Sequence, residues 1–311
     1  MHLIRGIHNI KKHHHGCVLT IGNFDGVHKG HQTLLVKLRQ EALKYKLPMM
    51  VMLFEPQTIE LFAKKNTPIT RLTSLREKLR YLSEAGVDNV LCARFNYDFA
   101  KMSANCFISE LLVSKLGVKY LAIGSDFRFG SGGQGNISLL KKAGNKYNFN
   151  VTIVKTLHDG MTRISSTSIR YALTTGNLKL AESLLGHPFI ISGKVIHGNS
   201  LGKVLGFPTA NVNLNRKIYP INGIYVVKVY GLSLKPMFGV ANIGTRPTLK
   251  DYYYQLEVHL FDIKLNLYGK RIDVMLIHKL RDEKCFISLE DLKKQIAKDI
   301  IAAKKFFSLT S

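Results

Sequence analysis

The sequence contains no tryptophan and no long apolar segment, and it has only four cysteines. The cysteines are far apart and form no Cys-x-x-Cys pair, which argues against a zinc or redox motif and favours reduced thiols. The longest apolar run, residues 49–54, is far shorter than the roughly 20 residues that a membrane-spanning helix needs. Residues 1–15 contain no apolar stretch of signal-peptide length. We therefore expect a cytoplasmic protein without a membrane partner.

Acidic residues are also scarce, with 21 against 45 lysines and arginines, and the net charge is +24. Such a charge is typical of proteins with anionic partners, which include nucleic acid, acidic membranes and small phosphorylated ligands. The lysines are spread along the chain rather than gathered in one block. A solvated basic surface without a specific partner explains them equally well.

The order of apolar segments predicts two domains, at 1–186 and 187–311. In the first, strands and helices alternate, which is typical of a parallel sheet flanked by helices, the Rossmann-like α/β class. From residue 189 onward the segments are short, β-rich and separated by turns, which predicts a small antiparallel barrel, followed by a closing helix over 289–306. The predicted strands are 18–22, 49–54, 90–95, 120–124 and 151–154, and the predicted helices are 32–45, 74–85, 105–116, 139–147 and 178–185.

A glycine-rich segment, Gly-Asn-Phe-Asp-Gly-Val-His-Lys-Gly-His, follows the strand predicted at 18–22 and leads into a helix. His28 and His31 are three residues apart and project from one face of the start of that helix. A helix N-terminus offers free N–H groups and the positive end of the helix dipole, which favour a phosphate group. We interpret the two imidazoles as hydrogen-bond donors to a nucleotide triphosphate.

A second segment, Arg-Ile-Ser-Ser-Thr-Ser-Ile-Arg at 163–170, combines hydroxyl groups with a closing arginine. Such groups can hold a leaving pyrophosphate through charge-assisted hydrogen bonds. The same serines and threonine also suit a helix N-cap, and one segment can serve both purposes.

The second half carries two further candidates. Thr209 and Asn211 alternate along a predicted strand and share one side, where a hydroxyl and an amide oxygen suit Mg²⁺. The glycine-rich lead-in with Lys203 can wrap the phosphates of a nucleotide. Glu257 and His259 share one face of the strand Leu-Glu-Val-His-Leu, although the polar outer face of an edge strand would show the same pattern.

The His-x-Gly-His segment resembles the signature of the nucleotidyltransferase superfamily. Together with Gly-Ser-Asp-Phe-Arg-Phe-Gly at 124–130 and the segment at 163–170, it is similar to the prokaryotic bifunctional riboflavin kinase/FAD synthetase family. In the second half, GKVIHGNSLGKVLGFPTAN, GVANIGTRPT, LEVHLFDI and KLRDEKCF resemble the riboflavin kinase domain of that family, in family order. The resemblance covers nearly the whole chain. It departs at Thr58, where the family usually has a second proline.

The resemblance implies a function for each half. The first half would adenylylate FMN with ATP, giving FAD and pyrophosphate, and the second would phosphorylate riboflavin to FMN with ATP and Mg²⁺. Glu257 would be the catalytic base, Thr209 and Asn211 would hold the metal, and Arg281 would lie on the flavin side. The implied nucleotide-binding residues are Gly22, Phe24, Asp25, Gly26, His28, His31, Asp126, Arg128, Ser165, Ser166, Thr167 and Arg170 in the first half, and Gly193, Gly198, Lys203, Thr209 and Asn211 in the second.

A protein of another class, a basic nucleic-acid-binding protein with the barrel as an RNA platform, would share the charge and the barrel pattern. No strand interleaves aromatic and basic residues as RNA-binding strands do. We therefore expect the partners to be riboflavin, FMN and ATP, without nucleic acid.

Overall fold

A computed structural model describes residues 1–63, 70–198, 201–214, 219–247, 252–263 and 265–308. The chain divides into two compact units. The first, here the sheet unit, comprises Met1–Ile69 and Thr73–Ser165. The second, here the barrel unit, comprises Thr70–Leu72 and Ser166–Ser311.

The sheet unit is built on a six-stranded sheet whose neighbouring strands all run parallel, in the order β1-β4-β3-β2-β5-β6. A parallel sheet is normally covered by helices on both faces. The strands are β1 His2–Arg5, β2 Cys17–Ile21, β3 Met49–Glu55, β4 Asn89–Arg94, β5 Val118–Gly124 and β6 Asn150–Val154, followed by the hairpin β7 His158–Asp159 and β8 Thr162–Arg163.

Helices cover both faces of this sheet. In β3, Met49 and Val51 pack with Leu35 of the first helix. Met50 and Met52 point the other way and pack on the opposite face of the sheet. Because successive residues of a strand face opposite sides, this continuous apolar run is fully buried. The α-helices are α1 Lys29–Tyr45, α2 Thr58–Phe62, α3 Leu75–Glu84, α4 Tyr97–Ala100, α5 Ala104–Cys106 and α6 Ile137–Tyr147, and the 3₁₀ turns are Ile7–Asn9, Lys12–His14 and Ser131–Gly133.

Two local features differ from the expectation. The helix predicted at 105–116 consists of the short helix α5 and a π-helix, Phe107–Lys115, whose wider turn a 3.6-residue period does not reveal. Strand β1 was not predicted, because it is short and Ile4 is its one buried residue. It forms by pairing with β4 at the edge of the sheet, with Ile4 opposite Leu91.

In the barrel unit, six antiparallel strands close in the order β10-β13-β12-β11-β14-β9. The C-terminal helix packs Ala303 against Val226 and Val240 of the barrel. The predicted fold class is therefore confirmed. The strands are β9 Ile190–Ile196, β10 Ala210–Asn213, β11 Gly223–Tyr230, β12 Met237–Pro247, β13 Tyr252–Leu260 and β14 Arg271–Arg281, and the helices are α7 Ser166–Thr174, α8 Leu178–Leu185, α9 Leu201–Val204 and α10 Leu289–Phe306.

Helices α7 and α8 are grouped with the barrel by their contacts. Thr174 at the end of α7 donates a hydrogen bond to the carbonyl of Pro220, at 3.3 Å. A Cβ at Gly176, between the two helices, would contact the Lys279 side chain of β14. The domain boundary near residue 187 stays a prediction. Across the described ranges, none of the helices has the length and apolar character needed to cross a membrane.

Candidate active sites

The loop between β2 and α1 forms the floor of a cavity in the sheet unit. Phe24 and Val27 have positive φ angles of 47° and 41°, which non-glycine residues rarely adopt. Such backbone strain is concentrated at functional sites. The loop ends at His28, which caps α1 by accepting a hydrogen bond from the backbone N–H of His31 at Nδ1, at 3.4 Å. In neutral His28 this bond leaves the proton on Nε2.

The two predicted histidines lie together, as expected. The rings of His28 and His31 stack with centroids 3.7 Å apart, and the Phe24 ring lies 4.6 Å from that of His31. All three side chains line a cavity of about 460 Å³. Gly30 lets the chain pass close to the His28 ring, because a Cβ there would approach Nδ1 to 3.1 Å.

His31 is held in its neutral form. Burial lowers its pKa well below the ordinary value of 6.5, and the neighbouring His28 ring and the Lys78 cation lower it further. Lys78 is itself buried in α3. A neutral imidazole contributes an N–H dipole rather than a positive charge, so in the ligand-free protein His31 is a hydrogen-bond donor and not a counter-ion.

We expect the His31 ring signals in an NMR pH titration of the ligand-free protein to move only well below pH 6.5, the ordinary value. The unfolded chain takes up this proton near pH 6.5 while the folded chain does not, so acidification below 6.5 destabilises the sheet unit. The variant His31→Asn assigns the signal. A midpoint at or above 6.5 would contradict the neutral assignment.

Asp25 and Gly26 support the β2–α1 loop and, among the described residues, do not line the cavity. The buried Asp25 accepts hydrogen bonds from the backbone N–H of Thr73 at 3.0 Å and from its hydroxyl at 3.2 Å. The N–H of Gly26 donates to the same hydroxyl at 2.9 Å. These bonds tie the β2–α1 loop to the chain preceding α3, and so fix the position from which His28 and His31 project.

The loop after β5 supplies the opposite wall, where Asp126 and Arg128 line the cavity as predicted. Asp126 forms an ion pair with Arg163 at 2.9 Å, and both side chains are exposed. Phe127 lines the cavity and stacks on Phe129, which is buried in the core. One aromatic therefore faces the site and the other supports it.

The serine- and arginine-rich segment is divided between the two units. Ser165 belongs to the sheet unit, whereas Ser166, Thr167 and Arg170 belong to α7 in the barrel unit. Arg170 donates from Nε to the carbonyl of Thr70 at 2.6 Å. Among the described residues these four do not line the cavity of the sheet unit, and their phosphate-binding role stays a prediction.

The barrel carries a row of polar residues at one level. Asn211 of β10 lies directly opposite Glu257 of β13, and Glu257 lies opposite Asn242 of β12. Directly opposed residues of antiparallel strands project from the same face with Cβ atoms about 4.5–5.5 Å apart. Gln255 joins two of them, since its amide donates to Asn211 Oδ1 and to Glu257 Oε1, the latter at 3.2 Å.

A second cavity, of about 320 Å³, lies beside this row and between the barrel and α10. Glu257, His259 and Thr209 line it on the barrel side, and Leu292 and Ile296 line it on the helix side. His259 Nδ1 lies 2.9 Å from the carbonyl of Pro208, an arrangement in which Nδ1–H donates. Apolar walls can bind a largely apolar ring. A carboxylate beside them can accept the proton of a hydroxyl group that belongs to the same molecule.

The donor set near Thr209 and Asn211 fits Mg²⁺. Both supply neutral oxygens next to the Glu257 carboxylate, and hard cations of this kind take few protein ligands and share the rest with phosphates. Asn211 is buried beneath Gly198, where a Cβ would overlap its amide. Gly202 packs as closely on the carbonyl of Phe207. Both glycines therefore permit a tight approach of the chain at the predicted phosphate side.

Two nucleotide-binding predictions for the barrel, Gly193 and Lys203, stay predictions. Gly193 lies in β9 and packs against Val212 and the carbonyl of Asn213, away from the residues that line the cavity. A Cβ at this position would overlap both groups, so close packing between the strands is sufficient to explain a glycine here. Lys203 lies in the short helix α9, and its side chain is outside the described part of the chain, so its predicted contact stays a prediction.

Arg281 lines the cavity, but most of its guanidinium is engaged. Nε and Nη2 donate to Asp299 of α10 at 2.7–3.2 Å, and Nη1 donates to the carbonyl of Asp282 at 2.9 Å. Gln295 donates to the same carboxylate at 2.9 Å. This bidentate ion pair fixes α10 against the end of β14, and so sets the width of the cavity.

Comparisons with known proteins match both units. The model of the FAD synthetase family matches residues 10–168, and that of the riboflavin kinase family matches residues 185–307. The chain is 58% identical to the bifunctional riboflavin kinase/FMN adenylyltransferase of Escherichia coli K12, over 100% of this chain and 99% of that protein. It is 51% identical to the Haemophilus influenzae protein of the same name, over 99% of this chain and 100% of that protein.

The chain belongs to the bifunctional riboflavin kinase/FMN adenylyltransferase family. The predicted family, and with it the pair of activities, riboflavin kinase and FMN adenylyltransferase, is confirmed. A solved structure from Streptococcus pneumoniae, described as a macrolide-efflux protein, is 31% identical with a TM-score of 0.82. It covers 96% of this chain and 97% of that one, which supports the same fold over both units.

Family membership leaves open which side chains serve each activity, and several cavity residues were not predicted from the sequence. In the sheet unit they follow the carboxyl ends of β3, β5 and β6, where ligands of parallel sheets bind, so the strand assignment was the available signal. In the barrel unit, one residue enters through cross-strand pairing and the others lie in the segment between β14 and α10, and neither placement can be read from one strand alone. The unpredicted residues are Thr58, Ser125, Lys155, Thr156 and Arg163 in the sheet unit and Asn242, Glu283, Lys284 and Phe286 in the barrel unit.

Proposed function

We propose that the two activities occupy two separate sites, with FMN adenylylation in the cavity of the sheet unit and riboflavin phosphorylation in the cavity of the barrel unit. The observation that carries this proposal is that, among the described residues, each cavity is lined by residues of one unit. His28 and His31 lie in the first and Glu257 in the second. ATP is the co-substrate of both steps, and the product of the kinase step is the substrate of the other.

In the kinase step, Glu257 accepts the proton of the terminal hydroxyl of the ribityl chain as that oxygen attacks the γ-phosphorus of ATP, and ADP leaves. The hydrogen bond from Gln255 holds the carboxylate in place. Thr209 and Asn211 would hold Mg²⁺, which neutralises phosphate charge when bound. The apolar cavity walls receive the ring of riboflavin, and Arg281 bounds that side through its ion pair with Asp299.

In the adenylyl step, a phosphate oxygen of FMN attacks the α-phosphorus of ATP and pyrophosphate leaves. The nucleophile is already an anion, so the step needs positioning and charge stabilisation rather than a base. His28 and His31 line the cavity, and His31 contributes a neutral N–H dipole. Arg128 and Lys155 supply positive charge around the cavity, and Arg163 pairs with Asp126 on its wall. The family resemblance further implies that Ser165, Ser166, Thr167 and Arg170 hold the pyrophosphate, which stays a prediction because, among the described residues, none of them lines the cavity.

The site-specific assignment predicts that a fragment of residues 187–311 converts riboflavin to FMN and makes no FAD. A longer fragment, 166–311, is the matched comparison, because α7 and α8 pack on the barrel. We expect the longer fragment to have the higher melting temperature and the same kinase activity. Flavins are separated by chromatography after incubation with riboflavin, ATP and Mg²⁺. A folded 166–311 fragment that forms no FMN would show that the barrel is not a self-sufficient kinase.

We place the protein in the cytoplasm, with small molecules as its partners. The support is the chemistry of its substrates, which are riboflavin, FMN and ATP. Part of the net charge of +24 serves binding of ATP and flavin phosphates, which are all anions.

A further inference from the structure

Besides Glu257, and Asp299 in its ion pair with Arg281, the cavity of the barrel unit is lined by the carboxylate of Glu283, which the proposed kinase step does not use. Glu283 lies beyond the end of β14, in the segment connecting it to α10, and lines the cavity together with Glu257. Its side chain is exposed at the cavity wall, so a bound molecule can reach it. Two carboxylates on one cavity repel each other, and an arrangement of this kind persists where a ligand or a partner group compensates for it.

The structure holds Glu283 in place from two sides. The side-chain amide of Asn242 donates a hydrogen bond to the Glu283 carboxylate. Asn242 pairs directly with Glu257 on the neighbouring strand, β13. Gly244, two residues further along β12, leaves the space that the carboxylate fills, because a Cβ there would overlap it. Asn242 Oδ1 has no hydrogen-bond partner among the described residues, consistent with an amide whose NH₂ group is turned to Glu283.

Glu283 lines the same cavity as the proposed base, Glu257, and groups of both signs surround it. Burial raises the pKa of the Glu283 carboxyl, and the negative charge of Glu257 raises it further. The hydrogen bond from Asn242 and the cation of Arg281 act in the opposite direction. Both carboxylates line one cavity, so a molecule bound there can contact both.

We propose that Glu283 is a specificity-determining residue of the kinase site, which accepts a hydrogen bond from a second hydroxyl of the flavin's polyol chain while Asn242 positions its carboxylate. This inference rests on the proposed kinase function of the barrel cavity. A flavin that lacks this hydroxyl leaves the carboxylate without its partner and is rejected, since sites built to bind a hydroxyl discriminate against analogues without it.

The test compares riboflavin with analogues that lack the 2′, 3′ or 4′ hydroxyl, using kcat/KM for phosphorylation. For the intact protein we expect one analogue to lose about 10- to 100-fold, the range for a hydrogen bond to a charged group. Glu283→Leu should lose about as much on riboflavin and should no longer distinguish that analogue. Glu283→Gln, which keeps an acceptor oxygen, should recover part of the discrimination. Asn242→Leu should weaken it, and Glu290→Leu, on the exposed start of α10, should leave it unchanged.

The outcomes separate the inference from the function on which it rests. Riboflavin left unphosphorylated by the intact protein overturns the proposed kinase site itself. An active protein in which Glu283→Leu lowers kcat/KM by the same factor for riboflavin and for every analogue overturns the inference alone, because a structural defect acts equally on all substrates. Loss of discrimination at one hydroxyl supports it.

Discussion

Glu257→Gln should lower the rate of FMN formation from riboflavin by about 10²- to 10⁴-fold, the usual contribution of general-base catalysis. Glutamine keeps the shape of the side chain and can still accept the hydrogen bond from Gln255, which is 3.2 Å in length in the native protein. It cannot accept a proton at neutral pH. The variant therefore removes proton transfer while leaving binding in place.

The measurement is a pair of steady-state assays, one started with riboflavin and one with FMN. Adenylylation of supplied FMN should be unaffected, because that cavity is lined by residues of the other unit. Glu290→Gln, which removes an exposed carboxylate from the first turn of α10, is the matched control. If Glu257→Gln retained more than about a third of the native kinase rate, well above the range for a general base, Glu257 would be a polar strand residue. His259, which lines the same cavity, would then be the next candidate.

His28→Ala or His31→Ala should lower FAD formation from FMN by about 10²- to 10³-fold, by analogy with the loss of one donor to a developing negative charge. Each variant removes an N–H group beside the phosphates, and phosphorylation of riboflavin should stay near the native rate. Both positions also have structural contacts, because His28 caps α1 and the ring of His31 lies against the Phe24 ring.

The same two assays decide the outcome, with His13→Ala as the control for an exposed histidine of the sheet unit. His28→Gln adds a variant that fills more of the space. Equal loss of both activities in every variant would show that the substitutions unfold the chain or that the histidines are not part of the adenylyl site.

The sequence was sufficient for those features that depend on neighbouring residues. Alternation of strands and helices predicted the α/β unit, and His28 and His31 were predicted to lie together because both sit on the first turn of one helix. The pairing of Glu257 with His259 on one strand face followed from the two-residue period. Local geometry of this kind is encoded within a few residues.

Features that depend on distant residues were not predictable in this way. The position of Asn242 opposite Glu257 depends on the register between β12 and β13, which no single strand determines. Asp25 holds the loop through its contact with Thr73, 48 residues away, which the local sequence does not reveal, and its nucleotide-binding role stays a prediction. The ion pair of Arg281 was likewise not predictable from neighbouring residues, because its partner Asp299 lies on α10.

The central claim, that this one chain performs both reactions in sequence, is tested most directly by a time course of flavin species. The full chain is incubated with riboflavin, ATP and Mg²⁺, and the flavins are separated by chromatography at successive times. FMN should appear first and FAD should follow with a lag, as riboflavin is consumed. Riboflavin that remains unchanged, or FMN that accumulates without FAD while ATP is in excess, would contradict the claim.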